Sequence, residues 1–128
     1  MGHEYRTKCK DCGHKFTVSK GGGFIFHLLR CDKCGRTKSI SFDKLGEIHD
    51  RYLKGLPGPY AIVTQKHDEF VKDNYKGEPL SEEEYERLVE LKVGNCRCGG
   101  KYTFNAKPRC PKCRSLKLEE GHITIMYD

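Results

Sequence analysis

Residues 96–113 read CRCGGKYTFNAKPRCPKC, four cysteines in two close pairs. Two thiolates on one tight turn can grip a metal ion, and two such turns supply the four ligands of a closed tetrahedral shell. The same device recurs upstream. Cys9-Lys-Asp-Cys12 is followed by Gly13, and Cys31-Asp-Lys-Cys34 by Gly35, glycines that accept the left-handed backbone such a knuckle needs. Cys110-Pro-Lys-Cys113 keeps the spacing but has Arg114 in the glycine's place. Cys96-Arg-Cys98 is one residue shorter, and Gly99-Gly100 lets backbone amides approach its sulfurs.

The chain of 128 residues is 36% hydrophobic and 33% charged, the length of one ordinary domain or two very small ones. So polar a chain buries a thin core, and scaffolds of this kind are reinforced by disulfides or structural metals. The opening MGHEYRTKCK has no apolar stretch of a signal peptide. The runs FIFHLL and YAIV are too short to span a bilayer. Arg6 stands where myristoylation calls for Ser or Thr. These features predict a cytoplasmic protein without membrane contact, in which reduced thiols favour metal over disulfides.

The cysteines divide the chain into three segments, 1–42, 43–94 and 95–128. The first carries nine Lys/Arg against three Asp/Glu, the second eight against twelve and the third seven against three. In the middle segment Ser81 and Glu84 form a capping box ahead of Tyr85, Leu88, Val89 and Lys92, and Gly94 closes the helix. Leu45, Ile48, Tyr52 and Leu53 predict one helix running to Gly55, and Phe70 with Val71 a short third helix over QKHDEFVKDNY. The outer segments read as β: RTKC, HKFTV, FIFHLLRC, RTKSISF, KYTF and HITIMYD. Ile123, Ile125 and Tyr127 alternate with Thr124 and Met126 as in a half-buried strand. Gly21-Gly22-Gly23 is read as a hairpin turn or a mobile tip.

Two knuckles joined by a β-hairpin resemble the zinc-ribbon superfamily, twice over, across about residues 4–42 and 95–127. The stretch EYRTKCKDCGHKF is similar to the opening of FmdB-type regulatory zinc ribbons, with Phe16 after the Cys-Gly turn and Tyr5 two residues earlier than in those proteins. Loop-closure entropy favours near neighbours. The expected sites are therefore Cys9/Cys12 with Cys31/Cys34 and Cys96/Cys98 with Cys110/Cys113, ahead of a cross-brace in which alternate knuckles share an ion. The predicted fold is α+β, a ribbon at 1–42, a helical insert at 43–94 and a ribbon at 95–128, packed as one body. Two Zn²⁺ ions are the first choice, and Fe fits the same four-sulfur cage. Cys110-Pro-Lys-Cys113 resembles a rubredoxin-type knuckle without that family's following glycine, which keeps an electron-transfer module as the alternative.

The expected function is non-enzymatic binding, regulatory through a nucleic-acid or protein partner. Lys20, Arg30, Lys107 and Arg109 are candidate phosphate contacts, and Phe16, Phe24, Phe26, Tyr102 and Phe104 candidate stacking surfaces. Two Zn(Cys)₄ sites would reduce the formal charge from +6 to +2, because each contributes −2 once its four thiols ionise. That leaves a modest electrostatic footprint. His67-Asp-Glu69 with Cys110-Pro-Lys-Cys113 has a faint likeness to zinc deaminases. Arg109 stands where that motif has proline, and such a site would orphan Cys96 and Cys98. No phosphate-binding P-loop, nucleophile elbow or small-molecule substrate site is evident. His14, His27 and His122 lie near knuckles or strands but are superfluous where four sulfurs are present.

Overall fold

The computed structural model describes residues 2–127, with the backbone alone at 122–125. The alternation expected of Ile123 and Ile125, and the side chain of His122, lie outside the described residues. Strand β1 (Gly2–Lys8) runs into the first knuckle and returns as β2 (Lys15–Lys20), an antiparallel hairpin in register from His3↔Lys20 to Lys8↔Lys15. β3 (Phe26–Cys31) and β4 (Thr37–Ser41) repeat the arrangement around the second knuckle. Four helices follow: α1 (Phe42–Leu45), α2 (Glu47–Gly55), α3 (Gln65–Asn74) and α4 (Glu82–Val93). The chain then adds β5 (Tyr102–Thr103) to the free edge of β3 and β6 (His122–Tyr127) to the free edge of β1. Two three-stranded sheets result, β2-β1-β6 and β4-β3-β5, each containing strands from both outer segments. The fold is α+β.

Local chemistry explains most of the helical segment. Ser81 Oγ accepts the Glu84 N–H, three glutamates occupy the first turn of α4, and Gly94 at φ 85° ends it. Tyr85, Val89 and Val93 form its buried stripe, with Leu88 packed alongside and Lys92 exposed. The single helix expected up to Gly55 is broken at Gly46, whose φ of 56° separates α1 from α2. On α3 the inward residues are Asp68 and Val71, while Phe70 is two-thirds exposed rather than packed. The Asp68 carboxylate, 2% exposed, accepts hydrogen bonds from the Tyr60 N–H and the Thr64 hydroxyl. The three glycines at 21–23 do not close a hairpin; they carry the chain from one sheet to the other. A Cβ on Gly22 would lie 2.4 Å from the Phe26 carbonyl oxygen, so the crossing needs glycine there.

The core is thin, as the composition implies. Leu29, Ile40, Leu45, Leu80, Tyr85, Val89, Val93 and Tyr102 pack between the second sheet and the helices. Among the described side chains the first sheet buries Val18, Cys9 and Thr7, and the Thr7 hydroxyl donates to the Glu119 carbonyl at 2.6 Å. At the centre of the core the Tyr85 hydroxyl lies 2.7 Å from His27 Nε2 and 2.9 Å from His49 Nδ1, and its ring stacks on Tyr52 at 3.9 Å. One phenolic proton serves one imidazole, and the oxygen accepts from the other. Burial holds both histidines down at about 4.

This network generates a prediction. Because the folded-state pKa lies below the ordinary imidazole value of about 6.5, these histidines favour the folded chain above that pH. Their contribution is lost as pH falls from there through about 4. NMR of the imidazole nitrogens should find His27 and His49 neutral at about pH 6; a midpoint near the ordinary value for either would refute the arrangement. Denaturant melts of Tyr85→Phe should show a loss of roughly 1–3 kcal/mol, the cost of leaving buried ring nitrogens unpaired.

Candidate functional site

Each knuckle is built by the same two backbone hydrogen bonds. The N–H of Cys9, Cys31 and Cys110 donates to the carbonyl five residues on, at His14, Arg36 and Ser115, at 2.8–2.9 Å. The N–H of Gly13, Gly35 and Arg114 donates back to that same cysteine's carbonyl. These three residues are the left-handed ones, at φ 76°, 78° and 64°. Cys96 makes the contracted version, donating to Gly100 and accepting from Gly99 at φ 92°. The Cys-x-Cys pair is thus an ordinary knuckle shortened by one residue. A Cβ on Gly100 would lie 2.5 Å from Cys31 Sγ, so the contraction brings this glycine against the neighbouring ligand.

The knuckles meet in a nested pattern. Cys9, Cys12, Cys110 and Cys113 form one cluster and Cys31, Cys34, Cys96 and Cys98 the other, with the sulfurs of each within 4.8 Å of one another. The sequential pairing expected from loop closure is overturned, and the alternating cross-brace is not formed either. The physical reason is that closure entropy varies only with the logarithm of loop length. Exchanging a separation of 19 residues, Cys12 to Cys31, for one of 98, Cys12 to Cys110, adds roughly 1.5 kcal/mol. The ladders formed by β6 along β1 and by β5 along β3 oppose that small cost, and the inner cluster already holds the ends of the long insert together.

Both clusters fit a metal ion. The closest inter-knuckle sulfur separations are 3.5 Å (Cys9–Cys113), 3.6 Å (Cys12–Cys110), 3.4 Å (Cys31–Cys98) and 3.6 Å (Cys34–Cys96). A tetrahedral shell with bonds of about 2.3 Å sets its sulfurs roughly 3.8 Å apart. The first cysteine of every knuckle is buried and the second lies nearer solvent. Backbone amides supply the next layer: Lys33 and Cys34 donate to Cys31 Sγ at 3.4 and 3.5 Å, and Lys112 to Cys110 Sγ at 3.4 Å. The Cys98 backbone N–H and the Tyr102 hydroxyl hold the Cys96 thiol down at about 6. In the same cluster burial and neighbouring thiols push Cys34 up to about 11. Four sulfurs this close cannot all ionise unaided; a divalent cation removes the conflict.

The other candidates distribute around these clusters. Lys20, Arg30 and Lys107 line one cavity of about 280 Å³ with Phe104, at the junction of the two sheets. Arg109 lies across the 104–109 segment in a second cleft. The Arg30 guanidinium donates to the carbonyls of Ser19 and Gly35 and ties the sheets together, a role its position in the sequence did not disclose. His27 is engaged with Tyr85, and His14 stacks on Phe16 at 5.8 Å. His67 bonds to Asp68, while Cys110 and Cys113 join Cys9 and Cys12, so the deaminase-like pattern is not assembled. No helix among the described residues is long and apolar enough to cross a membrane.

A family model described as a domain of unknown function, DUF8255, matches residues 5–119, spanning all four knuckles and the helices between them. No curated protein and no solved structure matches the chain.

The nested pairing predicts a distinctive mutant pattern. Cys12→Ser combined with Cys110→Ser should cost one metal ion per chain, because both changes fall on one site. Cys12→Ser combined with Cys34→Ser should disable both sites. Elemental analysis of the purified variants reads the difference directly, and the reverse result would restore sequential pairing.

Proposed function

The chain belongs to the DUF8255 family, and we propose that it is a non-enzymatic, zinc-stabilised nucleic-acid-binding protein. Zinc is favoured over iron because each site is a closed shell of four cysteines, and because the contracted Cys96–Cys98 chelate departs from the rubredoxin pattern. The ions would act structurally: they fix two knuckles against each other and leave no position for substrate.

The observation that carries the binding reading is the basic cavity at the junction. Lys20 and Lys107 are exposed and approach it from sequence positions 87 residues apart, with the half-buried Phe104 beside them. Mobile ammonium groups neutralise phosphate and release counterions, and an aromatic face stacks a base. Arg30 contributes fixed positive charge at the cavity's base while holding the sheets. The resemblance of the N-terminal stretch to FmdB-type regulatory ribbons points to a regulatory role.

A protein-contact reading is favoured by one feature. Ile62 is 89% exposed and Val63 66%, adjacent apolar side chains presented to solvent just before α3.

Purified native protein should be colourless and contain two zinc ions per chain; a red protein would replace this reading with electron transfer. Binding to a labelled single-stranded oligonucleotide should weaken as salt rises, and Lys20→Gln with Lys107→Gln should reduce affinity by about tenfold while both ions are retained. Affinity unchanged in that double variant would remove the cavity from the binding surface.

A further inference from the structure

The nested pairing assembles a second basic feature. Arg36, Arg97, Arg109 and Arg114 converge on one cleft of about 510 Å³, walled by Cys34, Cys96 and Cys98 of the inner cluster and by Pro111 of the fourth knuckle. Each is a close sequence neighbour of a ligand: Arg36 follows the second knuckle, Arg97 sits inside the third, and Arg109 and Arg114 bracket the fourth. Sequential pairing would have left Arg36 apart from the other three, which flank Cys96, Cys98, Cys110 and Cys113.

Three observations indicate that these guanidiniums face a ligand. None forms an ion pair with a carboxylate among the described residues. None donates to a cysteine sulfur there either; the sulfur contacts come from backbone N–H groups of Lys33, Cys34 and Lys112. Within the cleft, Arg109 Nη1 donates to the Arg114 carbonyl at 3.0 Å, which orients it and leaves its other N–H groups available. The third observation is the backbone of Arg114. Its φ of 64° makes it the one non-glycine residue with positive φ among the described residues, at the position where Gly13 and Gly35 stand in the equivalent knuckles. A side chain there is strained relative to glycine. The knuckle's hydrogen bonds use only the Arg114 backbone, and its side chain lines the cleft.

We propose that this cleft is a phosphate clamp that grips the backbone of a single-stranded nucleic acid. The proposal rests on the nucleic-acid reading above and adds the site that holds the strand. Guanidiniums suit the task because their planar fork pairs with two phosphate oxygens at once. The neighbouring cavity with Lys20, Lys107 and Phe104 shares the 104–109 segment with the cleft, so phosphate grip and base stacking sit side by side. The main competing role, compensation of thiolate charge in the metal-loaded sites, is separated by the test.

The test uses the full metal-loaded chain and fluorescein-labelled oligouridine, with affinity read at about 50 mM and about 200 mM salt. Arg36→Gln with Arg97→Gln should weaken binding by about tenfold and flatten the salt slope by about 1.4, the share of two cations on a single strand. Arg114→Gly should weaken binding as well, while leaving the melting temperature unchanged or raising it, because glycine relieves the left-handed strain. All variants should keep two ions. Wild-type affinity in the arginine variants, alongside loss in Lys20→Gln with Lys107→Gln, would overturn the clamp and leave the nucleic-acid function standing. Loss of metal in the glutamine variants, or destabilisation of Arg114→Gly, would assign the arginines to the sulfur sites and overturn the clamp. Arginine-dependent binding of inorganic tripolyphosphate without binding of oligouridine would make the ligand a free oligophosphate and overturn the nucleic-acid assignment. Binding of neither probe by the wild type would overturn both readings.

Discussion

The closure of one cysteine cluster inside another is the constraint from which the remaining structure follows. The inner cluster joins the second and third knuckles around a 61-residue interval, Gly35 to Asn95, that contains all four helices. The outer cluster joins the first and fourth knuckles around residues 13–109, with β1 and β6 outside that interval. Each central strand, β1 or β3, therefore receives one neighbour from its own hairpin and one from the C-terminal segment. A structural zinc ion contributes on the order of 10 kcal/mol to the folding of small peptides, against a whole-domain stability of roughly 5–15 kcal/mol. With so few aliphatic residues in the core, two such contributions would outweigh any single packing interaction in the molecule.

Features set by neighbouring residues were legible in the sequence; features set by distant partners were not. The α4 cap is written in Ser81, Glu84 and Gly94, all within one element, and the structure reproduces it. The knuckles are likewise local, because five consecutive residues dictate each turn. Their pairing is not local. A Cys-x-x-Cys turn presents the same two sulfurs whichever partner it meets, and the entropy that ranks partners by distance is too flat in loop length to decide. Strand pairing decides instead: the sequence marks KYTF and HITIMYD as β but not that they join the edges of β3 and β1. The exposure of Phe70 was hidden for a related reason. Hydrophobic periodicity cannot anticipate that the inward position of α3 is filled by Asp68, whose carboxylate satisfies the turn from Tyr60 to Thr64. Gly46 was visible as a residue, but its power to split a helix lay in its φ angle.

The four knuckles also show how far a backbone motif tolerates substitution. The two hydrogen bonds that define it survive removal of a residue at Cys96–Cys98, where the left-handed position moves from four to three places after the first ligand. They survive replacement of glycine by arginine at residue 114. The contraction requires Gly100 beside Cys31 Sγ, and the arginine accepts strain. In both cases the geometry of the metal shell is kept and the adjustment falls on the residues around it.

The two clusters differ in what supports them. Around the inner one, Leu29, Tyr85, Val89 and Tyr102 pack directly on the knuckles and the sheet, and Cys31 and Cys96 are themselves members of that core. Around the outer one stand strand hydrogen bonds, the Thr7–Glu119 contact and the Cys9↔Leu118 bridge, with Val18 buried among the described side chains. An ion in the inner site therefore reinforces a structure that hydrophobic burial already favours, whereas an ion in the outer site joins two knuckles whose flanking backbone is held by the β1–β6 ladder and the Cys9↔Leu118 bridge. The outer cluster also sets Arg109 and Arg114 against Arg36 and Arg97, so the shape of the basic cleft depends on the pairing of the first and fourth knuckles.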